Sequence, residues 1–213
     1  MKRPLLLSLM FLCCIFITPV LYTNAQINNS FKTIYKDGDI IFQKSNSRQA
    51  QAVKLATHSD ISHCGILFNE GGEWKVLEAV EPVQIVPLAS WIARDAQGHY
   101  TIKRLKKEYN KLNDSNVSAM LSTGKKWIGK HYDIYFNWND EQLYCSELVW
   151  KLYFEGTGLE ICTPRKLKEF DLSNPFVKMM MNERYGKNIP YDENMVAPSD
   201  LFDSKKLELV VSE

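Results

Sequence analysis

The segment that most constrains this chain is residues 142–150, where a cysteine stands directly before a run of apolar residues. Counted from Cys145, the apolar Leu148, Val149 and Leu152 lie at offsets three, four and seven. At about 100° per residue, these offsets share one face of an α-helix with the cysteine. The spacing therefore predicts a buried helix that begins at Cys145.

A thiol at the start of a helix has a distinctive electrostatic environment. The positive end of the helix macrodipole favours the thiolate and lowers the pKa of the cysteine. A lone cysteine is nevertheless more often a buried structural residue than a reactive one. A nucleophilic role for Cys145 therefore requires a histidine and a carboxylate from elsewhere in the chain.

The N-terminus has the pattern of a secretory signal peptide. Lys2 and Arg3 precede an uncharged, mostly apolar run at residues 5–21, and a small residue closes the segment. This pattern predicts a signal peptide at 1–25 and a single domain at 26–213. The alternative is an uncleaved anchor, because the run is near the lower length limit for spanning a bilayer. We expect an exported protein, periplasmic or associated with the cell envelope, that meets a membrane only through this segment.

Cysteine count and net charge narrow the function classes. Without the predicted signal peptide, three of the five cysteines remain, namely Cys64, Cys145 and Cys162. An odd number leaves at least one thiol free or paired between chains, so a disulfide framework does not organise the fold. The net charge of +1 creates no strong field toward nucleic acid, and we expect no nucleic-acid partner.

Short apolar runs separated by turn residues predict a set of antiparallel strands. The pair Gly71-Gly72 is typical of a two-residue hairpin turn. Strands are expected at 40–42, 62–68, 74–80, 83–88 and 100–105, and helices at 46–57, at 117–128 and from Cys145 onward. Residues 156–213 read as loops and short helices on the core. This arrangement favours an α+β fold over alternating β-α-β units.

The hairpin register brings a carboxylate toward a histidine. With Gly71 and Gly72 at the centre of the turn, Gly65 lies opposite Glu78. His63 is then diagonal to Glu78 on the same face, about 7–8 Å away between backbones, a gap that long side chains can bridge. The missing side chain of Gly65 leaves space for this contact. A register slip of one residue would move Glu78 to the opposite face.

Strand alternation places Cys64 on the other face from His63, which leaves Cys145 as the thiol for the imidazole. His63 can take the proton of Cys145 or hold it as a thiolate–imidazolium pair. Glu78 would accept a hydrogen bond from the other ring nitrogen and fix the tautomer. The backbone N–H of Cys145 is suited to bind a developing oxyanion.

Four further residues are candidates for binding a substrate. Tyr132, Asp133 and Tyr144 lie on or beside an aromatic loop close in sequence to the cysteine, although a packed aromatic cluster explains them equally well. Asp39 follows a turn signal and is more often a turn residue than a ligand contact. The spacing of His58, His63 and Cys64 matches no zinc pattern, so we expect no metal and no cofactor.

At these residues the chain resembles the permuted papain-like cysteine peptidases and amidases of the NlpC type, in their YiiX/YebB-like branch. The matching motifs are DGDIIF at 37–42, SHCGI at 62–66, VLEA at 76–79, YD at 132–133 and LYCSELV at 143–149. In most papain-like enzymes the cysteine helix precedes the histidine strand. Here the order His63, Glu78, Cys145 is the permuted one. Cys64 departs from the small apolar residue expected beside the histidine.

The resemblance implies a circularly permuted papain-like fold, with a small antiparallel, barrel-like sheet packed against helices. It also implies Cys145 as nucleophile, His63 as base and Glu78 as orienting residue. The implied activity is hydrolysis of an amide in a small peptide-like or acylated envelope substrate, such as a peptidoglycan fragment, through a thioester. The alternatives are a lipid acyl hydrolase or acyltransferase that uses the same thiol, and a non-catalytic envelope binding module.

Overall fold

A six-stranded antiparallel sheet organises the described part of the chain. The computed structural model describes residues 34–109 and 111–213, so the predicted signal peptide lies outside the described residues. Residues 35–213 form one compact unit. The sheet has the order β4-β3-β2-β1-β5-β8, and its strands are β1 (Ile40–Gln43), β2 (His63–Glu70), β3 (Glu73–Glu78), β4 (Gln84–Pro87), β5 (Thr101–Leu105) and β8 (Leu207–Ser212). A separate pair is formed by β6 (Arg165–Lys166) and β7 (Asn194–Met195).

The hairpin between β2 and β3 has the predicted register. Glu70 pairs with Glu73 at the turn and Ile66 pairs with Leu77 farther along. Gly71 and Gly72 both have positive φ, 66° and 84°, as the preferred two-residue hairpin turn requires. The prediction of this register is therefore confirmed, and Glu78 comes to the same end of the hairpin as the start of β2.

The helices cover the sheet and supply the start of the cysteine helix. They are α1 (Arg48–Thr57), α2 (Leu88–Ile92), α3 (Asp114–Trp127), α4 (Cys145–Thr157), α5 (Pro175–Tyr185) and α6 (Pro198–Phe202). The predicted helix does begin at Cys145, and all nine residues from there to Tyr153 are buried because α4 packs between β2 and α3. Among the described residues, no helix combines the length and the apolar character needed to span a bilayer.

Two expectations about the fold need correction. The sheet is open rather than barrel-like, because β4 and β8 form its edges and do not pair with each other. Residues 156–213 are more than loops and short helices: they provide the eleven-residue α5 and the edge strand β8, which pairs with β5. The sequence LELVVS of β8 does not alternate regularly between apolar and polar residues, because the strand is only partly buried. It therefore gives little periodic signal of a strand.

Candidate active site

Cys145 is the first residue of α4 and is only 4% exposed. Two contacts fix the helix start around it. The backbone N–H of Tyr144 donates to Glu147 Oε2 at 3.3 Å, and Ser146 Oγ donates to the carbonyl of Val196 at 2.7 Å. The first N–H groups of a helix have no intrahelical acceptor, so the backbone N–H of Cys145 is available at the site.

His63 and Glu78 are in direct contact, with His63 Nε2 2.7 Å from Glu78 Oε2. The carboxylate is fully buried and also accepts hydrogen bonds from Gln84 Nε2 at 3.0 Å, Trp91 Nε1 at 2.8 Å and Arg94 at 2.7 Å. Burial opposes the charge of this carboxylate, but the hydrogen bonds from His63 and Arg94 outweigh burial and lower the pKa of Glu78 to about 2. Glu78 is therefore a fixed anion beneath the imidazole.

The imidazole of His63 is held from two sides. Its Nε2 faces Glu78, and its ring stacks on Trp91 with centroids 5.8 Å apart. Burial alone would lower the pKa of His63, but hydrogen bonding to Cys145 and to Glu78 raises it to about 9. Because Nε2 is occupied by the carboxylate, Nδ1 is the nitrogen left for the thiol. This environment favours the imidazolium at neutral pH.

The thiol of Cys145 lies beside Cys64 and His63, and both residues favour its ionised form. A hydrogen bond from the Cys64 thiol is the largest influence; burial opposes it, and His63 adds to it, so the pKa of Cys145 falls well below its usual range. Burial raises the pKa of Cys64 itself, which keeps that thiol protonated and able to donate. Cys64 lies off the face of His63, as strand alternation predicts, but its thiol contacts Cys145.

A substitution of Cys64 tests how the thiolate of Cys145 is stabilised. We expect Cys64→Val to raise the pKa of Cys145, because valine fills a similar volume but donates no hydrogen bond. Alkylation of Cys145 by iodoacetamide should slow at pH 6 and recover at pH 9.5, as followed by mass spectrometry. The matched control is Cys162→Val, which removes a thiol that does not line the cavity and whose pKa burial raises to about 12. An unchanged pH profile in Cys64→Val would contradict this role.

The cysteine opens into a cavity of about 450 Å³. Its polar end contains His63, Tyr132, Tyr144 and Cys145, together with Gln49. Its apolar part lies between α1 and α5 and is formed by Ala52, Val53, Ala56, Leu167, Phe170, Leu172, Val177, Met180 and Met181. A ligand in this cavity therefore meets a nucleophile at one end and aliphatic walls along the rest.

A hydrogen-bonded chain orients the hydroxyl of Tyr132. Arg184 donates to Gln49 Oε1 at 3.1 Å, and Gln49 Nε2 donates to Tyr132 Oη at 2.7 Å. Since arginine has no acceptor, Gln49 must turn its oxygen to Arg184 and its amino group to the tyrosine. The Tyr132 proton is therefore free to donate into the site. Burial and then the charge of Cys145 raise the pKa of Tyr132, so the hydroxyl stays protonated.

The predicted substrate-binding residues divide into two groups. Tyr132 and Tyr144 line the cavity, whereas Asp39 and Asp133 do not. Asp39 is buried and paired with Arg104 at 2.7 Å. Asp133 is also buried, and its two oxygens each accept a backbone N–H of the following loop at 2.7 Å. Both carboxylates stabilise local structure and do not contact the space where a ligand would lie.

Several site residues have no counterpart in the sequence-based prediction. Gln84 pairs with Glu78 in the β3–β4 ladder, so a register extended past the second turn could have found it. Trp91 and Arg94 reach Glu78 from α2 and the residues after it, and no local pattern marks them. Gln49 and Arg184 meet only because α1 packs against α5.

In the described parts of the chain, no three histidine, cysteine, aspartate or glutamate side chains come together as metal ligands would. The arrangement that does exist is a low-pKa thiol, an imidazole and a buried carboxylate in series. This set can perform nucleophilic attack and proton transfer on a carbonyl compound.

The chain is similar in sequence and in structure to known proteins. A family model described as a permuted papain-like amidase enzyme, YaeF/YiiX, C92 family, matches residues 34–211. The uncharacterized protein YiiX of Escherichia coli K12 is 44% identical over 176 residues, which cover 83% of this chain and 86% of that protein. A crystal structure of metalloprotein yiiX from Escherichia coli O157:H7 superposes with a TM-score of 0.79 at 44% identity, covering 84% of this chain and 98% of the other.

Proposed function

Since this chain belongs to the YaeF/YiiX (C92) family of permuted papain-like amidases, a family of cysteine peptidases and amidases, we propose that it hydrolyses amides through a triad of Cys145, His63 and Glu78. The observation that carries this assignment is the single imidazole in contact with both a thiol of lowered pKa and a buried carboxylate. Family membership supports the reaction class, and the geometry supports the choice of residues.

The reaction follows from the positions of these groups. The Cys145 thiolate attacks the amide carbonyl carbon, and the negative charge moves to the carbonyl oxygen. The backbone N–H of Cys145 and the hydroxyl of Tyr132 are the donors for that oxyanion. His63 gives its Nδ1 proton to the leaving amine as the C–N bond breaks, which leaves a thioester. Water, deprotonated by His63, then releases the acid and restores the thiolate.

Glu78 acts through His63 rather than on the substrate. It holds the ring orientation, stabilises the imidazolium, and is kept ionised by Arg94 and its other donors. One solved relative is described as a metalloprotein. In the described residues of this chain, the histidine, cysteine and carboxylate side chains do not assemble into a set that fits a metal ion. The reaction above accordingly has no metal-dependent step.

The proposed substrate is a peptide-like or acylated amide of the cell envelope. The signal-peptide pattern at the N-terminus supports export to that compartment. A peptide such as a peptidoglycan stem would place one amide at Cys145. The apolar wall between α1 and α5 favours a second candidate, in which the acyl group is a long aliphatic chain and the enzyme removes or transfers it.

The test combines thiol mapping with a substrate panel. The full mature chain is labelled with iodoacetamide, and we expect Cys145 to react faster than Cys64 and Cys162. The same protein is then incubated with muropeptides, long-chain acyl amides and acyl esters, and amine or acid release is measured. Labelling of Cys145 at the rate of an ordinary thiol, with no amide cleaved, would contradict the proposal. Binding without turnover would point instead to a binding module.

The pH dependence of the reaction follows from the two shifted groups. Since the pKa of His63 is raised to about 9, the imidazolium that protonates the leaving amine is lost as the pH rises through about 9. The low pKa of Cys145 keeps the thiolate present at neutral pH. We therefore expect kcat/KM to be flat near neutrality and to fall above pH 9. This alkaline decrease belongs to the coupled Cys145–His63 pair rather than to either residue alone.

An activity that still rises through pH 9 would contradict this ion pair, because it would indicate a thiol with an ordinary pKa. Folding must be followed in parallel by circular dichroism. A raised histidine pKa contributes stability that is complete below the unfolded value near pH 6.5, and this contribution is lost as the pH rises through about 9. The kinetic fall must therefore be measured where the protein remains folded.

A further inference from the structure

Apart from the Cys145–His63 pair, the charged side chains on the cavity wall are all basic. Among the described residues, no aspartate or glutamate lines the cavity, whereas Lys44, Arg94 and Arg184 line it in addition to His63. Two of these cations are already neutralised. Lys44 Nζ lies 2.7 Å from an Asp60 oxygen, and Arg94 lies 2.6 Å from Glu78 Oε1. A ligand in the cavity therefore finds their charges largely compensated.

Arg184 is different from the other two. Its guanidinium donates to the neutral Gln49 Oε1 and lies 4.9 Å from the ring centroid of Phe136. Among the described residues, no carboxylate lies within ion-pair distance of it. A guanidinium has five N–H donors in a planar fork, so donors remain after these contacts. The cavity thus contains a partly buried cation that has no anionic partner in the described part of the chain.

The position of Arg184 relates this cation to the nucleophile and to the apolar wall. Arg184 is connected through Gln49 to Tyr132, and the charge of Cys145 contributes to the raised pKa of that tyrosine. Along α5, Val177, Met181 and Arg184 lie at offsets of four and seven and therefore on one helix face. At about 1.5 Å per residue, the apolar wall extends roughly 10 Å along α5 from the cation.

We propose that Arg184 determines substrate specificity by binding a carboxylate next to the scissile amide, while an aliphatic chain occupies the wall between α1 and α5. The substrate class with this chemistry is the N-acyl amino acids, in which an apolar acyl chain, an amide and a carboxylate follow one another. This inference rests on the proposed amidase function and specifies its substrate. Paired N–H donors of a guanidinium match the two oxygens of a carboxylate, which neither a neutral amide nor an ester offers.

The experiment compares three matched substrates: N-dodecanoylglycine, its neutral analogue N-dodecanoylglycinamide, and N-acetylglycine, which keeps the carboxylate without the chain. Release of the acyl acid gives kcat/KM for each. We expect the first to exceed the second by about 10–100-fold, the range for a hydrogen bond to a charged group. We expect the third to be cleaved poorly, because it leaves the apolar wall empty.

Arg184→Gln should bring the ratio between charged and neutral substrates close to one, and Arg184→Lys should restore part of it. The matched control is Lys44→Gln, which removes a lining cation that Asp60 already neutralises and should keep the wild-type ratio. A second measurement, titration of Cys145→Ala with the two dodecanoyl compounds, reports binding apart from turnover. It should show the same preference.

The outcomes separate this inference from the function on which it rests. Equal kcat/KM for charged and neutral dodecanoyl amides in the wild-type protein would overturn the role of Arg184 and leave the amidase intact. Cleavage of muropeptides but of no acyl amide would overturn the substrate class, again with the amidase intact. Only a slow-reacting Cys145 together with no cleavage of any amide would remove the proposed function itself.

Discussion

Replacing Cys145 with alanine is expected to lower kcat by a factor on the order of 10⁵–10⁶, as removal of the nucleophile does in other triad hydrolases. The reason is that His63 would then have no thiolate to pair with and no bond could form to the carbonyl carbon. The rate is measured as amine release from the best substrate of the panel. Loss of the thiolate also removes a hydrogen-bond partner of His63, so the pKa of His63 should fall.

The control for this variant is Cys162→Ala, which removes a thiol that does not line the cavity and should retain full activity. Folding is checked by circular dichroism and by the thermal midpoint, because a buried cysteine is replaced. Full activity in folded Cys145→Ala would show that amide hydrolysis does not require this sulfur. The triad assignment would then be wrong.

Glu78→Gln is expected to lower kcat by roughly 10³–10⁴, comparable to the loss of the carboxylate in other triads. A glutamine keeps the shape of the side chain but cannot stabilise the imidazolium or fix its tautomer by charge. The alkaline limb of the pH profile should move below pH 9, since Glu78 contributes to the raised pKa of His63. That displacement is a readout that a purely structural role would not change.

Arg94→Gln is the matched control for Glu78→Gln. It breaks the same Arg94–Glu78 ion pair but leaves the 2.7 Å contact between the carboxylate and His63. We expect a much smaller loss of kcat, together with a modest loss of stability. Equal losses in Glu78→Gln and Arg94→Gln would mean that the ion pair, rather than the carboxylate–imidazole contact, sustains activity.

The local features of the fold were predictable from the sequence. Gly71 and Gly72 determine a turn, a turn determines a register, and the register brings Glu78 to His63 within a separation of fifteen residues. The apolar offsets after Cys145 are likewise a local signal of a buried helix face. These inferences use only neighbouring residues and the periods of strand and helix.

The remaining features depend on contacts between distant segments. Cys64 meets Cys145 because the start of α4 packs on β2, which strand alternation alone does not describe. The open sheet depends on whether β4 and β8, far apart in the sequence, pair with each other. The wall formed by α5 has a helix signal too weak to distinguish it from loops before the tertiary packing is known.

The many donors around Glu78 have a consequence for selectivity. Four side chains already hold that carboxylate, so the imidazole is oriented before any ligand enters, and the lowered pKa of Cys145 favours its thiolate. A nucleophile prepared in advance reacts with whichever electrophilic carbonyl reaches it. Discrimination among compounds therefore depends on the part of the cavity between α1 and α5. Proteins with the same three reactive residues would differ in substrate when the side chains of those two helices differ.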